Sequence, residues 1–336
     1  MQLKALHDQV MVITGASSGI GLVTARRAAE RGAKLVLAAR NEQALQTLAA
    51  ELQRGGTDAV YVVADVGKEA DVERIAQRAW ERFGGFDTWV NNAAVGIFGP
   101  IVEGQIEDYR RLFETNFWGV VYGSLTAVRH LRGRGGALIN VGSAVGDRAL
   151  PNQGLYSASK HAVKGFTDAL RAELEAQGVP ISVTLIKPGS IDTPFPQHAK
   201  NYMDEEPTLP APVYAPDLVA EAIMHAAETP VRDLVVGGGG KLISVLGQRA
   251  PRLADKALGS QGFLEQQRSG RPPQNPEGAL HAPTFGLYER GAYEGRVRET
   301  SLYTRGARHP LAAALIAAGA LGVGVAAALA GRRALT

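Results

Sequence analysis

A doubly wound parallel α/β sheet is the fold class that this sequence predicts, and three observations carry it. Apolar runs alternate with helical stretches up to about residue 240. That alternation builds strand–helix–strand crossovers and therefore a parallel sheet covered on both faces. The first apolar run, Gln9-Val10-Met11-Val12-Ile13-Thr14, passes directly into the glycine turn Gly15-Ala16-Ser17-Ser18-Gly19-Ile20-Gly21 and then into a helical stretch. Finally, the Gly15 turn, Asn91, Ser143 and Pro188 all follow the C-terminal ends of apolar runs. In such sheets ligands bind beyond those ends.

Taken in order, the first helix runs from Leu22 to Arg31 and stops at Gly32. A turn that joins strand to helix through glycines lets a pyrophosphate approach the backbone at a helix N-terminus, where free N–H groups and the helix dipole favour an anion. The spacing here is G-x-x-x-G-x-G rather than the commoner G-x-G-x-x-G. The second strand, Lys34 to Ala39, ends at Arg40. An acidic residue at this strand end would hold the adenosine ribose hydroxyls, whereas an arginine accommodates a 2′-phosphate. Ala39 and Arg40 stand there instead of an acid, which favours NADP(H) over NAD(H), and Ser17 is placed to add a hydroxyl to the same phosphate.

The remaining elements are a helix near 41–54, a strand at 58–63, a helix near 68–83 and a strand at 86–91. A long helix of about 106–132, a strand from Gly136 to Val141 and a helix running through Tyr156 to Gln177 follow. Gly178 and Pro180 stop that helix. Ile181 to Ile186 is a strand, Pro216 to Glu228 a helix and Leu234-Val235-Val236 a last short strand. Within the last long helix, Tyr156 and Lys160 are four apart and share one face. A nearby ammonium stabilises a phenolate and lowers the tyrosine's pKa from its ordinary value of about 10 toward neutrality, where proton transfer is efficient.

These motifs, in this order, resemble the short-chain dehydrogenases/reductases over about residues 7–240, a family with the Rossmann fold. Thr14 to Gly21 is similar to the family's cofactor loop, with Gly15, Ser17, Ser18, Gly19, Ile20 and Gly21 as expected contacts. Asp65-Val66 resembles its adenine-contacting pair, and Asn91-Asn92-Ala93-Ala94 its Asn-Asn-Ala-Gly segment with alanine in the last place. Asn116, Ser143, Tyr156 and Lys160 fall where its catalytic tetrad falls. Pro188-Gly189-Ser190-Ile191-Asp192-Thr193 is similar to the segment whose threonine contacts the nicotinamide amide. The resemblance implies that Tyr156 exchanges a proton with the substrate oxygen and that Ser143 orients that oxygen. It implies that Lys160 serves both the tyrosine and the nicotinamide ribose, and that Asn116 holds a water linked to Lys160. No metal is expected.

Composition bounds the alternatives. The chain has no cysteine, so disulfides and thiolate metal sites are excluded, and its seven histidines form no ligand spacing. His161, beside Lys160, reads as a helix-face residue. Lys and Arg number 36 against 33 Asp and Glu, without a basic cluster of the kind that binds nucleic acid. Residues 194–214 carry four prolines after Pro194 and form the expected substrate lid, in which Phe195, Tyr202, Met203 and Leu209 either line an apolar pocket or pack the lid onto the domain. Residues 1–240 are thus the catalytic domain and 241–310 an irregular extension, with an amphipathic helix from Lys241 interrupted at Pro251 and a loose linker beyond 268.

Residues 311–331 are expected as a C-terminal membrane anchor. The run Leu311–Ala330 holds no charged or polar side chain and, if helical, spans about 30 Å, the thickness of a bilayer core. A packed alanine-rich helix is the competing reading. The first strand begins almost at Met1, so the catalytic domain is expected on the cytoplasmic side of a membrane, or in the cytoplasm if no anchor forms. The expected activity is NADP(H)-dependent interconversion of a carbonyl and a secondary alcohol on a small, lipophilic substrate. A 3-ketoacyl reductase of lipid synthesis and a non-catalytic cofactor-binding regulator are the alternatives. The sequence leaves a homo-oligomer open.

Overall fold

The computed structural model describes residues 1–308, and the apolar run from Leu311 lies outside them. Seven strands, β1 (Val10–Thr14), β2 (Lys34–Ala39), β3 (Ala59–Val63), β4 (Thr88–Asn91), β5 (Gly136–Val141), β6 (Ile181–Pro188) and β7 (Asp233–Val236), form one sheet. Every pairing is parallel, and the spatial order is β3-β2-β1-β4-β5-β6-β7. Strands β1, β2, β5 and β6 are apolar and almost wholly buried, as expected of strands covered on both faces, while the edge strand β3 is partly exposed. The helices α1 (Gly19–Glu30), α2 (Glu42–Arg54), α3 (Glu69–Phe83), α4 (Ile106–Phe113), α5 (Gly119–Leu131), α6 (Gly154–Ala176) and α7 (Asp217–Glu228) supply the covering layers. One core joins β1 and β2 to α1, α2 and α7 through Leu22, Leu35, Leu45, Leu48 and Ile223. The other joins the opposite sheet face to α3, α5 and α6 through Val12, Ile75, Trp89, Leu131 and Leu174.

The strand order reverses between β1 and β4, and ligand crevices open at such a switch point. Two sets of polar contacts fix this junction. Thr14 at the end of β1 donates its hydroxyl to the Val90 carbonyl at 3.1 Å and accepts from the amides of Asn92 and Ala93 at 3.0 and 3.1 Å. Asn91 sits in a buried network: Trp89 Nε1 donates to its Oδ1 at 2.7 Å, and its Nδ2 donates to Asn140 Oδ1 at 2.9 Å and to Ser124 Oγ at 3.2 Å. Asn140 in turn donates to Thr167 Oγ1 on α6 at 3.0 Å. A buried network of this kind contributes only when each member has its partners. Here it ties β4 and β5 to the helix that carries Tyr156 and Lys160.

The long helix expected over 106–132 is α4 and α5 joined by one π-turn, Glu114–Trp118. The lid region is held by short parallel pairings. Lys200–Asn201 lies beside Ile97–Phe98, and Val213–Tyr214 lies between Ser190–Ile191 and Val297–Arg298.

The extension departs most from expectation. The helix foreseen from Lys241 already begins at Gly238, so α8 (Gly238–Arg249) crosses the 240 boundary, and α9 (Pro251–Leu258) continues after Pro251. Residues 268–308 are irregular up to the short helix Leu302–Arg308, apart from the paired Val297–Arg298, but they are no loose linker. Leu280 and Thr304 are buried, and Leu280 packs with Val95, Ile97 and Leu112. Among the described residues, no helix is long and apolar enough to cross a membrane.

Candidate active site

The site is one cleft along the C-terminal edge of the sheet, at the switch point. The turn after β1 closes on the segment after β4. Gly15 has φ +69°, and a Cβ there would stand 2.8 Å from Ala93 Cα; a Cβ on Gly21 would stand 2.1 Å from the Gly15 carbonyl oxygen. Side chains at these two positions would push α1 off the loop. Ser18 is extended, with φ −161° and ψ 166°, and its side chain caps no amide of the first turn of α1. The positive end of that helix therefore faces the cleft without a side-chain cap.

Ser143, at the end of β5, caps a short turn by accepting from the Val145 amide at 3.3 Å, and its hydroxyl lies 3.4 Å from the Pro188 carbonyl. It also hydrogen-bonds Tyr156. Lys160, one turn along α6, is buried and donates to the Val141 carbonyl at 3.0 Å, with its ammonium 5.7 Å from the Tyr156 ring centroid. Burial pushes the phenol up to about 12, against a smaller downward pull from the Ser143 hydrogen bond, and pushes Lys160 down to about 8. The expected lowering of the tyrosine by the lysine is therefore not what this state shows. Removal of the phenol from water sets this direction, because burial penalises the phenolate.

Asn116 lies behind this group. In the π-turn its amide grips the backbone of one residue, accepting from Val95 N–H at 2.8 Å and donating to the Val95 carbonyl at 2.9 Å, and it donates to Ser159 Oγ at 3.2 Å. It is fully buried, and Thr115 rather than Asn116 lines the cleft. Through these bonds it fixes the strand-end loop beside the site. Single π-turns recur at functional sites.

The cleft brings together Gly15, Ser17, Ser18, Gly19, Ile20, Arg40, Asp65, Val66, Asn92, Ala93, Ser143, Tyr156, Lys160, Pro188, Gly189 and Thr193. Gly21 underlies the loop. Asp65 accepts from the Gly67 amide at 3.0 Å and pairs with Arg111 at 2.6 Å. Arg40 is half-buried; burial, then the neighbouring Arg111 charge, push its pKa down, while Asp65 acts in the opposite sense. These features fit a nicotinamide dinucleotide. A helix N-terminus without a side-chain cap and a buried ammonium suit its phosphates and ribose, and a guanidinium stands at one end of the cleft.

Around Tyr156 the wall is apolar. Val145, Leu150 and Leu258 form a cluster with Tyr156, Ile243 and Phe263, and the Phe195 ring lies 5.1 Å from that of Tyr156. Phe195 and Leu209 line the cleft, as one reading of the lid expected. Tyr202 and Met203 instead pack the lid onto the domain. Tyr202 donates to Asp108, and Met203 is buried against Phe98 and Ala199. His161 is exposed on α6, its Nδ1 2.9 Å from the Ser157 carbonyl.

Sequence reasoning missed the walls supplied by the extension: Gly239, Gly240 and Ile243 of α8, Phe263, and Ala279, Pro283, Thr284 and Phe285. It also missed His198, whose ring lies 4.7 Å from that of Phe285 and whose Nε2 is buried without a partner; burial pushes it down to about 4. The scattered large apolar residues Phe263, Leu280, Phe285 and Leu287 were the available signal in that otherwise polar stretch.

A family model described as short chain dehydrogenase matches residues 9–203. The uncharacterized oxidoreductase YxnA of Bacillus subtilis is 51% identical over 324 residues, which is 95% of this chain and 90% of that protein, so the match runs through the extension. The 11-beta-hydroxysteroid dehydrogenase A of Sesamum indicum is 40% identical over 193 residues, 56% of this chain and 54% of its own length. Among solved structures, a short-chain dehydrogenase/reductase of Burkholderia phymatum in complex with NAD superposes with a TM-score of 0.67 at 25% identity, covering 82% of this chain and 99% of that one. An alcohol dehydrogenase of the archaeon Thermococcus sibiricus, complexed with 5-hydroxy-NADP, gives 0.60 at 31% identity, covering 68% of this chain and 95% of that one. The chain belongs to the short-chain dehydrogenase/reductase family. It is an oxidoreductase acting on alcohol or carbonyl groups with a nicotinamide cofactor.

Proposed function

We propose that the protein is an NADP(H)-dependent enzyme that interconverts a carbonyl and a secondary alcohol on a lipophilic substrate, with Tyr156 as the acid/base. The convergence of Ser143, Tyr156 and Lys160 on one cleft with the glycine loop and Arg40 carries this reading. The bound dinucleotide supplies or accepts the hydride. Tyr156 then gives its phenolic proton to the substrate oxygen, or removes it in the oxidising direction. Ser143 holds the substrate oxygen beside the phenol. Lys160 carries positive charge into the cleft, and the apolar wall of Val145, Leu150, Phe195, Ile243 and Phe263 excludes water and favours an apolar substrate body.

The 2′-phosphate preference rests on Arg40 at the end of β2, where no acid stands. Arg40→Ala should reduce the ratio of NADPH to NADH affinity about ten- to a hundred-fold, the worth of a charge-assisted phosphate contact. Titrations of both cofactors followed by fluorescence measure this. A wild-type protein that prefers NADH would overturn the NADP(H) assignment. Oxidation of NADPH against a panel of ketones and aldehydes of increasing chain length tests the substrate class, and activity confined to short polar carbonyls would sink it.

Membrane attachment through Leu311–Ala330 is the second part of the proposal and rests on that run's uniform apolarity. Full-length protein should then sediment with membranes and resist both high salt and alkaline carbonate. Release by salt alone would favour a packed alanine-rich helix.

A further inference from the structure

Residues 279–289 cross the cleft at its Arg40 end, and most of their attachments are made by backbone groups. Gly19 N–H, in the first turn of α1, donates to the Tyr288 carbonyl at 2.8 Å, and Leu287 N–H donates to the Ser17 carbonyl at 2.7 Å. Asn41, which caps α2, donates to the Thr284 carbonyl at 2.7 Å. The Leu280 carbonyl accepts from two guanidinium groups, Arg40 at 3.1 Å and Arg111 at 3.2 Å, and Arg40 also donates to the Ala279 carbonyl. Leu280 is fully buried below this crossing, and Glu289 closes it with an ion pair to Arg26 at 2.8 Å. Pro283, Thr284 and Phe285 line the cleft.

We infer that this crossing segment is a working part of the dinucleotide site. It forms a wall over the adenosine half of the cofactor, positions the Arg40 guanidinium through the Ala279 and Leu280 carbonyls, and must lift for the cofactor to enter or leave. This rests on the assignment of the cleft as the dinucleotide site. The segment touches the glycine turn, the end of β2 and the start of α2, which are the parts that receive the phosphate and adenosine in that assignment. The segment makes these hydrogen bonds with its own carbonyls and one amide, and those of Ala279 and Leu280 to Arg40 set how far the arginine can swing.

Hydrogen exchange of the full-length protein with and without saturating NADPH tests the inference. Exchange in 282–289 should slow at least tenfold in the presence of cofactor, together with that of the glycine turn. If the glycine turn itself gains no protection, the cleft is not the dinucleotide site and the underlying assignment fails. If the turn gains protection while 282–289 stays unchanged or exchanges faster, the cofactor does not hold the segment down and the inference is overturned. A variant gives the kinetic arm. A Cβ at Gly286 would stand 2.6 Å from Ala44 Cβ and 3.1 Å from the Ser17 carbonyl oxygen. Gly286→Leu should therefore prise the segment away and speed NADPH release at least tenfold. Glu289→Lys, at the partly exposed ion pair with Arg26, should speed it in the same direction to a smaller extent. Release rates equal to wild type in both folded variants would also overturn the inference.

Discussion

Tyr156→Phe should lower kcat about a thousand-fold or more while changing the NADPH dissociation constant less than about twofold. The phenol hydroxyl faces the cleft beside Ser143 and is the acid in the proposed mechanism, and general acid catalysis contributes about 10²–10⁴ in rate. Phenylalanine keeps the ring and its 5.1 Å contact with Phe195. Ser143 keeps the Val145 amide as a donor, so the fold around it persists. With its pKa pushed up to about 12 by burial, the phenol is protonated throughout the neutral range and ready to donate in the reducing direction. The oxidising direction needs the phenolate, so its rate should rise with pH. A variant that keeps kcat within tenfold of wild type would remove Tyr156 from the mechanism.

Lys160→Met should damage both functions, weakening NADPH binding about tenfold or more and lowering kcat at least a hundred-fold. The sign of the pH dependence follows from the burial of the lysine. Its pKa falls from 10.5 to about 8, so the ammonium is present below pH 8 and is lost as the pH rises through that value. Wild-type affinity for NADPH should therefore weaken above about pH 8, and the methionine variant should show no such limb. Stability should move differently. A buried base whose folded pKa is depressed makes the fold more stable as the pH rises from about 8 to 10.5. At about 1.4 kcal/mol for each pH unit, the buried charge costs the fold about 3 kcal/mol at neutral pH. Methionine removes that cost and leaves the Val141 carbonyl without its donor, a loss of about 1–3 kcal/mol. The melting temperature should thus stay level or rise while activity collapses. A marked fall in melting temperature would instead show that the lysine is chiefly a structural group.

The strands and helices up to Glu228 were legible because each carries a pattern tied to its environment. Uniformly apolar runs become strands buried on both faces, and the glycines at 15, 19 and 21 mark a turn where chain and helix pack without room for side chains. Ser143, Tyr156 and Lys160 were legible because helical spacing and strand ends fix where they meet. Asn116 was legible as a position only, since the π-turn that aims its amide at Val95 has no compositional signature. The phenol's high pKa depends on burial by residues such as Phe195 and Leu150, and spacing along one helix cannot report that. Residues 268–308 were misread for a related reason. They dock through the carbonyls of Ala279, Leu280, Thr284 and Tyr288, and a carbonyl is the same on every residue. No periodicity announces a segment that binds by its backbone.

The same crossing has a consequence for biosynthesis. Arg40 and the carbonyl of Leu280 that holds it lie 240 residues apart along the chain. At roughly 5–20 residues per second of translation, the ribosome delivers Leu280 about 12 seconds after Arg40 at the fastest rate, or about 50 seconds at the slowest. By the end of that interval the strands, the glycine turn and the tyrosine–lysine pair have been made, while the clasp on the arginine does not yet exist. The nascent protein therefore passes through a stage with Ser143, Tyr156 and Lys160 made and the cleft still lacking one wall.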